Sequence, residues 1–157
     1  MGVSGSGKTT LGKLLALKHS WTFFDADDFH PPANIEKMAQ GVALTDTDRM
    51  PWLDVLRRLV DEHRDSEHVM LLACSALKQA YRDRLSGDQA GVLWVYLKGS
   101  FASIEQRLQE RRGHYMSAKL LSSQFAALEE PSNALVIDTT LPADQAAELI
   151  AARIANP

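Results

Sequence analysis

The sequence predicts an α/β fold, one domain over residues 1–157 in which a parallel sheet carries helices on both faces. Three observations predict it. Short apolar runs at 69–74, 92–97 and 135–137 alternate with longer stretches of helical periodicity. The runs lack polar alternation, as expected of strands covered on both sides. And a glycine-rich segment, Gly2 to Gly7, leads directly into the first helical pattern, the arrangement of a strand–loop–helix unit.

The elements follow in order. Leu11, Leu14, Leu15 and Lys18 set a helix beginning near Lys8. Thr22, Phe23 and Phe24 form a short strand ending at Asp25. Helices are expected over 34–40 and 48–62, then a buried strand at 69–74. A helix at 78–85 and a strand at 92–97 come next. Phe101, Ile104 and Leu108 mark one helix face, and Leu120, Leu121, Phe125 and Leu128 another. The last strand is 135–137 and the last helix 143–155.

The totals narrow the function. With 157 residues, 45% apolar and 24% charged, the chain can bury a real core. Its net charge of -3 offers no general attraction for nucleic acid. No apolar run approaches the roughly 20 residues that span a bilayer. Met1 is followed at once by glycines and serines, so no signal peptide is expected. Cys74 is the single cysteine, which excludes an internal disulfide and suits a cytoplasmic location.

Gly2, Val3, Ser4, Gly5, Ser6, Gly7, Lys8 and Thr9 fit G-x-x-x-x-G-K-[ST] at every fixed position. The glycines let successive backbone N–H groups turn inward toward phosphate oxygens, and the following helix adds its positive end. Lys8 can reach the β- and γ-phosphates, the Thr9 hydroxyl can ligate Mg²⁺, and Thr10 completes the nucleotide-binding stretch. Such loops serve several reaction classes. A GTPase should carry N-K-x-D, which is absent. Asp88 to Gly91 fits D-x-x-G but precedes a strand, so it reads as a turn. A motor ATPase usually ends the strand at 69–74 in an acidic residue. Here it ends in Cys74-Ser75. A kinase for a small metabolite remains, with ATP and Mg²⁺ as its cofactors.

Asp25, Asp27 and Asp28 follow the second predicted strand, at the end that faces the ligand crevice in such sheets. Asp25 and Asp27 alternate and are expected to project the same way. They read either as a solvated acidic turn or as a Mg²⁺ anchor and a proton acceptor. Arg107, Arg111, Arg112 and His114 form a basic stretch, which reads by itself as an exposed helix end where cations favour the C-terminal dipole.

Residues 23–53 read FFDADDFHPPANIEKMAQGVALTDTDRMPWL. This resembles the gluconokinase signature D-x-D-x-x-H-P-x-x-N-x-x-K-M-x-x-G-x-x-L-x-D-x-D-R-x-P-W-L. Cys74-Ser75-Ala76-Leu77-Lys78, Tyr81-Arg82-Asp83, Leu97-Lys98-Gly99 and Ser123-Gln124-Phe125 match as well, and the likeness extends from Gly2 to about Pro131. The resemblance implies a P-loop kinase of the nucleoside-monophosphate and shikimate-kinase type, with strand order 2-3-1-4-5. It implies phosphorylation of D-gluconate by ATP, and relatives are often homodimers. Lys8, Asp27 and Arg111 would be catalytic, with Asp27 at the acceptor hydroxyl. Thr9 and Asp25 would attend the metal. His30, Arg49, Lys78 and Arg82 are candidates for substrate contacts, the cations for its carboxylate. For Lys78 and Arg82 the competing reading is a solvated helix face at i, i+4. For His30 it is a role in the Pro31-Pro32 turn. Residues 107–117 would form a lid, in which Arg107 and Arg111 touch nucleotide and Arg111 or Arg112 neutralises the transferred phosphoryl. A kinase for another sugar acid or small polyol, or a regulatory nucleotide binder without turnover, are the alternatives.

One element is missing from the pattern. In the family the P-loop is preceded by about five apolar residues forming the central strand, but only Met1 precedes Gly2. Met1 is therefore expected to be an internal methionine of a longer chain. The strands at 69–74 and 92–97 are expected not to pair, leaving two strand spacings of roughly 4.8 Å each between them.

Overall fold

The computed structural model describes residues 1–64, 66, 68–87, 91–110 and 118–156. Helix α1 (Lys8–His19) starts behind Gly7 and stops at Ser20, whose left-handed φ of 56° returns its N–H to the Ala16 carbonyl. Strand β1 (Thr22–Asp25) runs into a 3-10 turn, Ala26–Phe29. Helix α2 (Pro32–Ala39) opens with proline at its first position, where no N–H is needed. Helix α3 (Asp46–Arg64) begins two residues before the expected start. Thr45 and Asp48 form a reciprocal cap: the Thr45 hydroxyl accepts from the Asp48 N–H, and Asp48 accepts from the Thr45 N–H. Strand β2 (Met70–Ala73), helix α4 (Gln79–Ser86), strand β3 (Val95–Lys98) and helices α5 (Phe101–Glu110) and α6 (Ala118–Ala127) follow. Strand β4 (Leu135–Asp138) and helix α7 (Ala143–Ala155) close the order. Strand β3 starts three residues later than the sequence suggests.

The strands form two parallel pairs. Thr22 lies opposite Met70 in the first, and Val95 opposite Leu135 in the second. Strands β2 and β3 do not pair, as expected. Among the described residues, Met1 and Gly2 enter the gap, at its carboxyl end. The Met1 amine donates to the Val95 carbonyl, and the Met1 carbonyl accepts from the Leu97 N–H at 3.0 Å. Gly2 donates to the Ser75 carbonyl at 3.2 Å. Across the layer the order is β1, β2, Met1, β3, β4, which is the expected 2-3-1-4-5 with its central member reduced to one residue. Behind Met1 lies a cavity of about 580 Å³.

Helices α1 and α7 cover one side of this layer through Leu11, Leu15, Leu97, Ile137, Ala147 and Ile150. Helices α3 and α4 cover the other through Trp52, Leu53, Leu56, Tyr81 and Leu85. Full burial of each large side chain contributes about 1.5–3 kcal/mol. A third cluster joins Val3 and Leu77 to Ile104, Leu108 and Leu121, and so ties the glycine-rich loop to α5 and α6. Among the described residues no helix is long and apolar enough to cross a membrane.

Candidate active site

The glycine-rich loop is held by packing on one side and left open on the other. Val3 is buried in the third core cluster, and a Cβ on Gly5 would lie 2.8 Å from the Leu108 side chain. Gly5 also has φ of +79°, so the position requires glycine twice over. Gly7 has φ of +98° and opens α1, yet a Cβ there would meet nothing within 4 Å. That open side faces the first turn of α1, which has no side-chain cap. Its first N–H groups are thus directed at any anion resting on the loop. The Lys8 ammonium lies across the loop, donating to the Gly2 and Val3 carbonyls at 2.9 and 3.0 Å. The Ser4 N–H donates to the Gln124 side-chain oxygen at 2.7 Å, a tie from α6 that sequence reasoning had not placed in the site. Thr10 is exposed on the first turn of α1.

Thr9 and Asp25 meet here. The Thr9 hydroxyl donates to Asp25 Oδ2 at 2.7 Å, while Asp25 Oδ1 accepts from the Asp27 N–H at 3.2 Å. One carboxylate therefore links α1, the end of β1 and the 3-10 turn. A hydroxyl and a carboxylate beside a phosphate cradle suit Mg²⁺, which takes few protein oxygens and completes its shell with phosphate and water. The described residues contain no group of three or more His, Cys, Asp or Glu that could hold a metal ion.

Asp27 does not continue the strand as its alternation with Asp25 suggested. It lies in the 3-10 turn, because Asp25 caps that turn and bends the chain. Its side chain is 81% exposed, at the mouth of the site. The turn is fixed from below: the Trp52 indole N–H donates to the Ala26 carbonyl at 2.7 Å, and Trp52 is fully buried. His30 is buried and stacks on Trp52, with ring centroids 4.3 Å apart and 13° between planes. Its Nδ1 lies 3.5 Å from the Asn34 amide and its Nε2 3.9 Å from Asp27. Burial lowers the His30 pKa, against the opposing pull of Asp27. His30 therefore organises the turn while one ring nitrogen points toward Asp27.

A second cluster forms where α3 meets α4. Lys78 Nζ donates to both Asp46 oxygens at 2.7 and 2.8 Å, and the Tyr81 hydroxyl donates to the same carboxylate. The Arg49 guanidinium carbon lies 5.9 Å above the Tyr81 ring. These bonds from Lys78 and Tyr81 lower the Asp46 pKa, and Asp46 raises that of Lys78. Nearby, Lys37 and Thr45 hold Asp48 down to about 2. Asp46 and Tyr81 were not among the predicted site residues, although both stand in matched motifs.

Arg82 is placed differently from its expected role. The side chain is almost fully buried and turned inward. Nη1 donates to the Ala76 and Leu77 carbonyls at 2.9 and 3.0 Å, and Nη2 to the Gln79 side chain at 2.7 Å. Neither a solvated face nor a contact with substrate fits that geometry. Lys78 is not one helical turn from Arg82 in a shared helix, because Lys78 is the extended residue before α4. Arg107 lies in α5 and donates to the Thr139 carbonyl in the turn after β4. Arg111, Arg112 and His114, and with them most of the expected lid, lie outside the described residues, as do Asp88 to Ala90.

Comparison with known proteins adds independent evidence. The sequence profile of the shikimate kinase family matches residues 4–155. A gluconokinase of Gluconobacter oxydans is 47% identical over 85% of this chain and 75% of its own length. The thermoresistant gluconokinase of Escherichia coli is 42% identical over 90% of this chain and 83% of its own. Among solved structures, a gluconokinase from Sinorhizobium meliloti superposes with a TM-score of 0.88 at 36% identity, covering 99% of this chain and 89% of that one. An APS kinase from Mycobacterium tuberculosis, at 16% identity and a TM-score of 0.70, shares the fold.

Proposed function

The chain belongs to the gluconokinases within the shikimate kinase family, and from that premise we infer that it transfers the γ-phosphoryl group of ATP to D-gluconate, giving 6-phospho-D-gluconate. One observation supports this most strongly: the hydrogen-bonded run Thr9–Asp25–Asp27 joins the phosphate cradle to the acceptor side within a single side chain's reach.

The roles follow from position. The loop amides from Gly2 to Thr9 and the Lys8 ammonium hold the phosphate chain of ATP and oppose the charge that develops as the γ-phosphoryl moves. On binding nucleotide, Lys8 leaves its carbonyl contacts for phosphate oxygens. Thr9 and Asp25 would hold Mg²⁺, which would supply positive charge against the bound phosphates. Asp27, exposed beside them, accepts the proton of the gluconate hydroxyl as its oxygen bonds to phosphorus and ADP departs. Arg49 and Lys78 bind the gluconate carboxylate, with Lys78 exchanging Asp46 for substrate. His30 holds the Asp27 turn and offers a ring nitrogen to a sugar hydroxyl. Arg107 and Arg111 belong to a lid over residues 107–117 that excludes water, with Arg111 at the transferred phosphoryl. The whole of 1–157 acts as one kinase domain, placed in the cytoplasm and paired as a homodimer, the latter open to test by sedimentation.

Coupled ADP-release assays across gluconate, shikimate, AMP and simple sugars test the assignment. Gluconate is expected to give the highest kcat/KM by a wide margin. A higher value for shikimate, AMP or another sugar acid would overturn the substrate while leaving the phosphate cradle intact.

A further inference from the structure

Lys78 carries a charge assigned to the acceptor's carboxylate, and it is the extended residue before α4, with φ of -92° and ψ of 148°. Two members of the acceptor-side cluster, Lys78 and Tyr81, therefore hang on the first turn of α4. That turn closes through the Tyr81 N–H on the Lys78 carbonyl at 3.1 Å. Lys78 makes no side-chain cap there, as expected of a side chain with no acceptor.

The cap comes from elsewhere in the chain. Glu129 lies just past α6 and grips residues 77–79 twice. Its N–H donates to the Leu77 carbonyl at 2.9 Å, and its carboxylate accepts from the Gln79 N–H at 2.5 Å. A carboxylate suits that place, because it meets the positive end of α4 with a charge-assisted bond. The two bonds fall on either side of Lys78. Arg82 holds the same segment from within, through the Leu77 carbonyl and the Gln79 side chain. Burial lowers the Arg82 pKa, and the Glu129 charge opposes that fall. Glu129 can hold a segment because its own place is fixed. Leu128 packs against the cluster that contains Leu77 and Leu121, and Gln124, earlier on α6, is tied to Ser4. The next residue, Glu130, turns instead to Lys98 at 2.8 Å and to the Tyr96 hydroxyl at 3.4 Å.

We propose that Glu129 is a positioning residue for the acceptor: by holding the Gln79 N–H and the Leu77 carbonyl it sets the backbone of Lys78, and so the place where the Lys78 ammonium meets an acceptor carboxylate. Glu129 acts through Lys78 rather than on substrate, and its role rests on the assignment of Lys78 to that carboxylate. Removing the side chain leaves the Glu129 N–H in place, and the residue is exposed. The effect is therefore several-fold rather than orders of magnitude.

Steady-state kinetics in both substrates test this role. Glu129→Ala is expected to raise the gluconate KM about fivefold, with kcat and the ATP KM within about twofold of the parent. Glu129→Gln keeps an oxygen at the same reach and is expected to hold the gluconate KM within about twofold of the parent. Lys78→Ala is expected to raise that KM by about tenfold or more. Adding Glu129→Ala to Lys78→Ala should change it by less than about twofold, because the two act through one group. Hydrogen exchange at the Gln79 and Tyr81 amides, read without substrate, should quicken about fivefold in Glu129→Ala. Glu130→Ala, the neighbouring control, should leave the gluconate KM at the parent value. Should Glu129→Ala not fold, Glu129→Asp, which keeps the charge but shortens the reach, takes its place with the same expected rise. A parent-like gluconate KM in Glu129→Ala, unchanged exchange, or a further rise of about fivefold in the Lys78→Ala background would overturn the proposal. So would kcat and both KM values shifting together with a loss of Tm, the mark of a cap that serves stability alone. If Lys78→Ala itself leaves the gluconate KM unchanged, the assignment of Lys78 falls and the role of Glu129 with it. A normal Lys78→Ala effect beside a silent Glu129→Ala sinks the role of Glu129 alone.

Discussion

Truncating Arg82 to alanine separates the structural role of this residue from a role in holding substrate. Its Nη1 makes two charge-assisted bonds to carbonyls, at 2.9 and 3.0 Å, and the group is almost fully buried. Hydrogen bonds to charged groups contribute about 1.5–3 kcal/mol each. The two carbonyl bonds alone therefore give a loss of about 3 kcal/mol at the lower bound. Ala76 holds a left-handed φ of 42°, so the freed segment has reason to relax. With a urea m-value of about 2 kcal/mol/M, the unfolding midpoint should fall by about 1.5 M. Tryptophan fluorescence in a urea series measures this, since Trp52 is packed in the adjoining core. Gluconate kcat/KM, taken at low temperature where the variant stays folded, should remain within about tenfold of the parent. A midpoint shift below about 0.3 M together with a larger rise in gluconate KM would refute the reasoning, because the guanidinium would then be facing substrate.

Lys8→Ala should remove turnover by about 10³-fold or more while shifting Tm by no more than about 2 °C, since the ammonium contacts loop carbonyls rather than core. Single-turnover assays and a melting curve check the two halves. Asp27→Asn should lower kcat by about 10²-fold with ATP affinity nearly unchanged. Asp25→Asn should instead raise the Mg²⁺ concentration needed for half-maximal rate, measured by titration. Stability should fall with acidification in two steps. His30 has a lowered folded pKa, so the unfolded chain binds more protons once the pH drops below about 6.5, and stability declines from there. Asp48, held down to about 2, contributes stability that is complete above the ordinary carboxylate range and is lost as pH falls toward that value. His30→Gln should erase the first step and leave the second.

The parts of the site that were legible in the sequence are those where the backbone does the chemistry. The P-loop demands glycine at Gly2, Gly5 and Gly7 for reasons of φ, and at Gly2 and Gly5 for space as well, and those demands leave a readable trace. Asp25 was legible because a strand end fixes its direction. Asp27 was misplaced because strand alternation was extended through it, when the Asp25 carboxylate captures the Asp27 N–H and starts a 3-10 turn. The start of α3 was read two residues late, although Thr45 and Asp48 at a spacing of three were the signal for it. Arg82 could not be placed from its spacing to Lys78, because that spacing assumed a shared helix and α4 begins only at Gln79. Which way a long cation turns depends on where spare carbonyls lie, and the carbonyls of Ala76 and Leu77 are a property of the folded loop.

Cys74 gives the molecule a built-in clock for its own opening. It is the single thiol of the chain, it is buried beside Met1, and burial pushes its pKa up to about 11. A thiol in that state barely reacts with a soluble disulfide reagent at neutral pH. Labelling then requires the end of β2 to come away from its surroundings. Where closing outpaces the reagent, the observed rate reports the equilibrium population of the open form. No cysteine needs to be removed or introduced to run the measurement. Any compound that grips the closed P-loop should slow the clock by the factor 1 + [L]/Kd, so affinities can be timed without turnover.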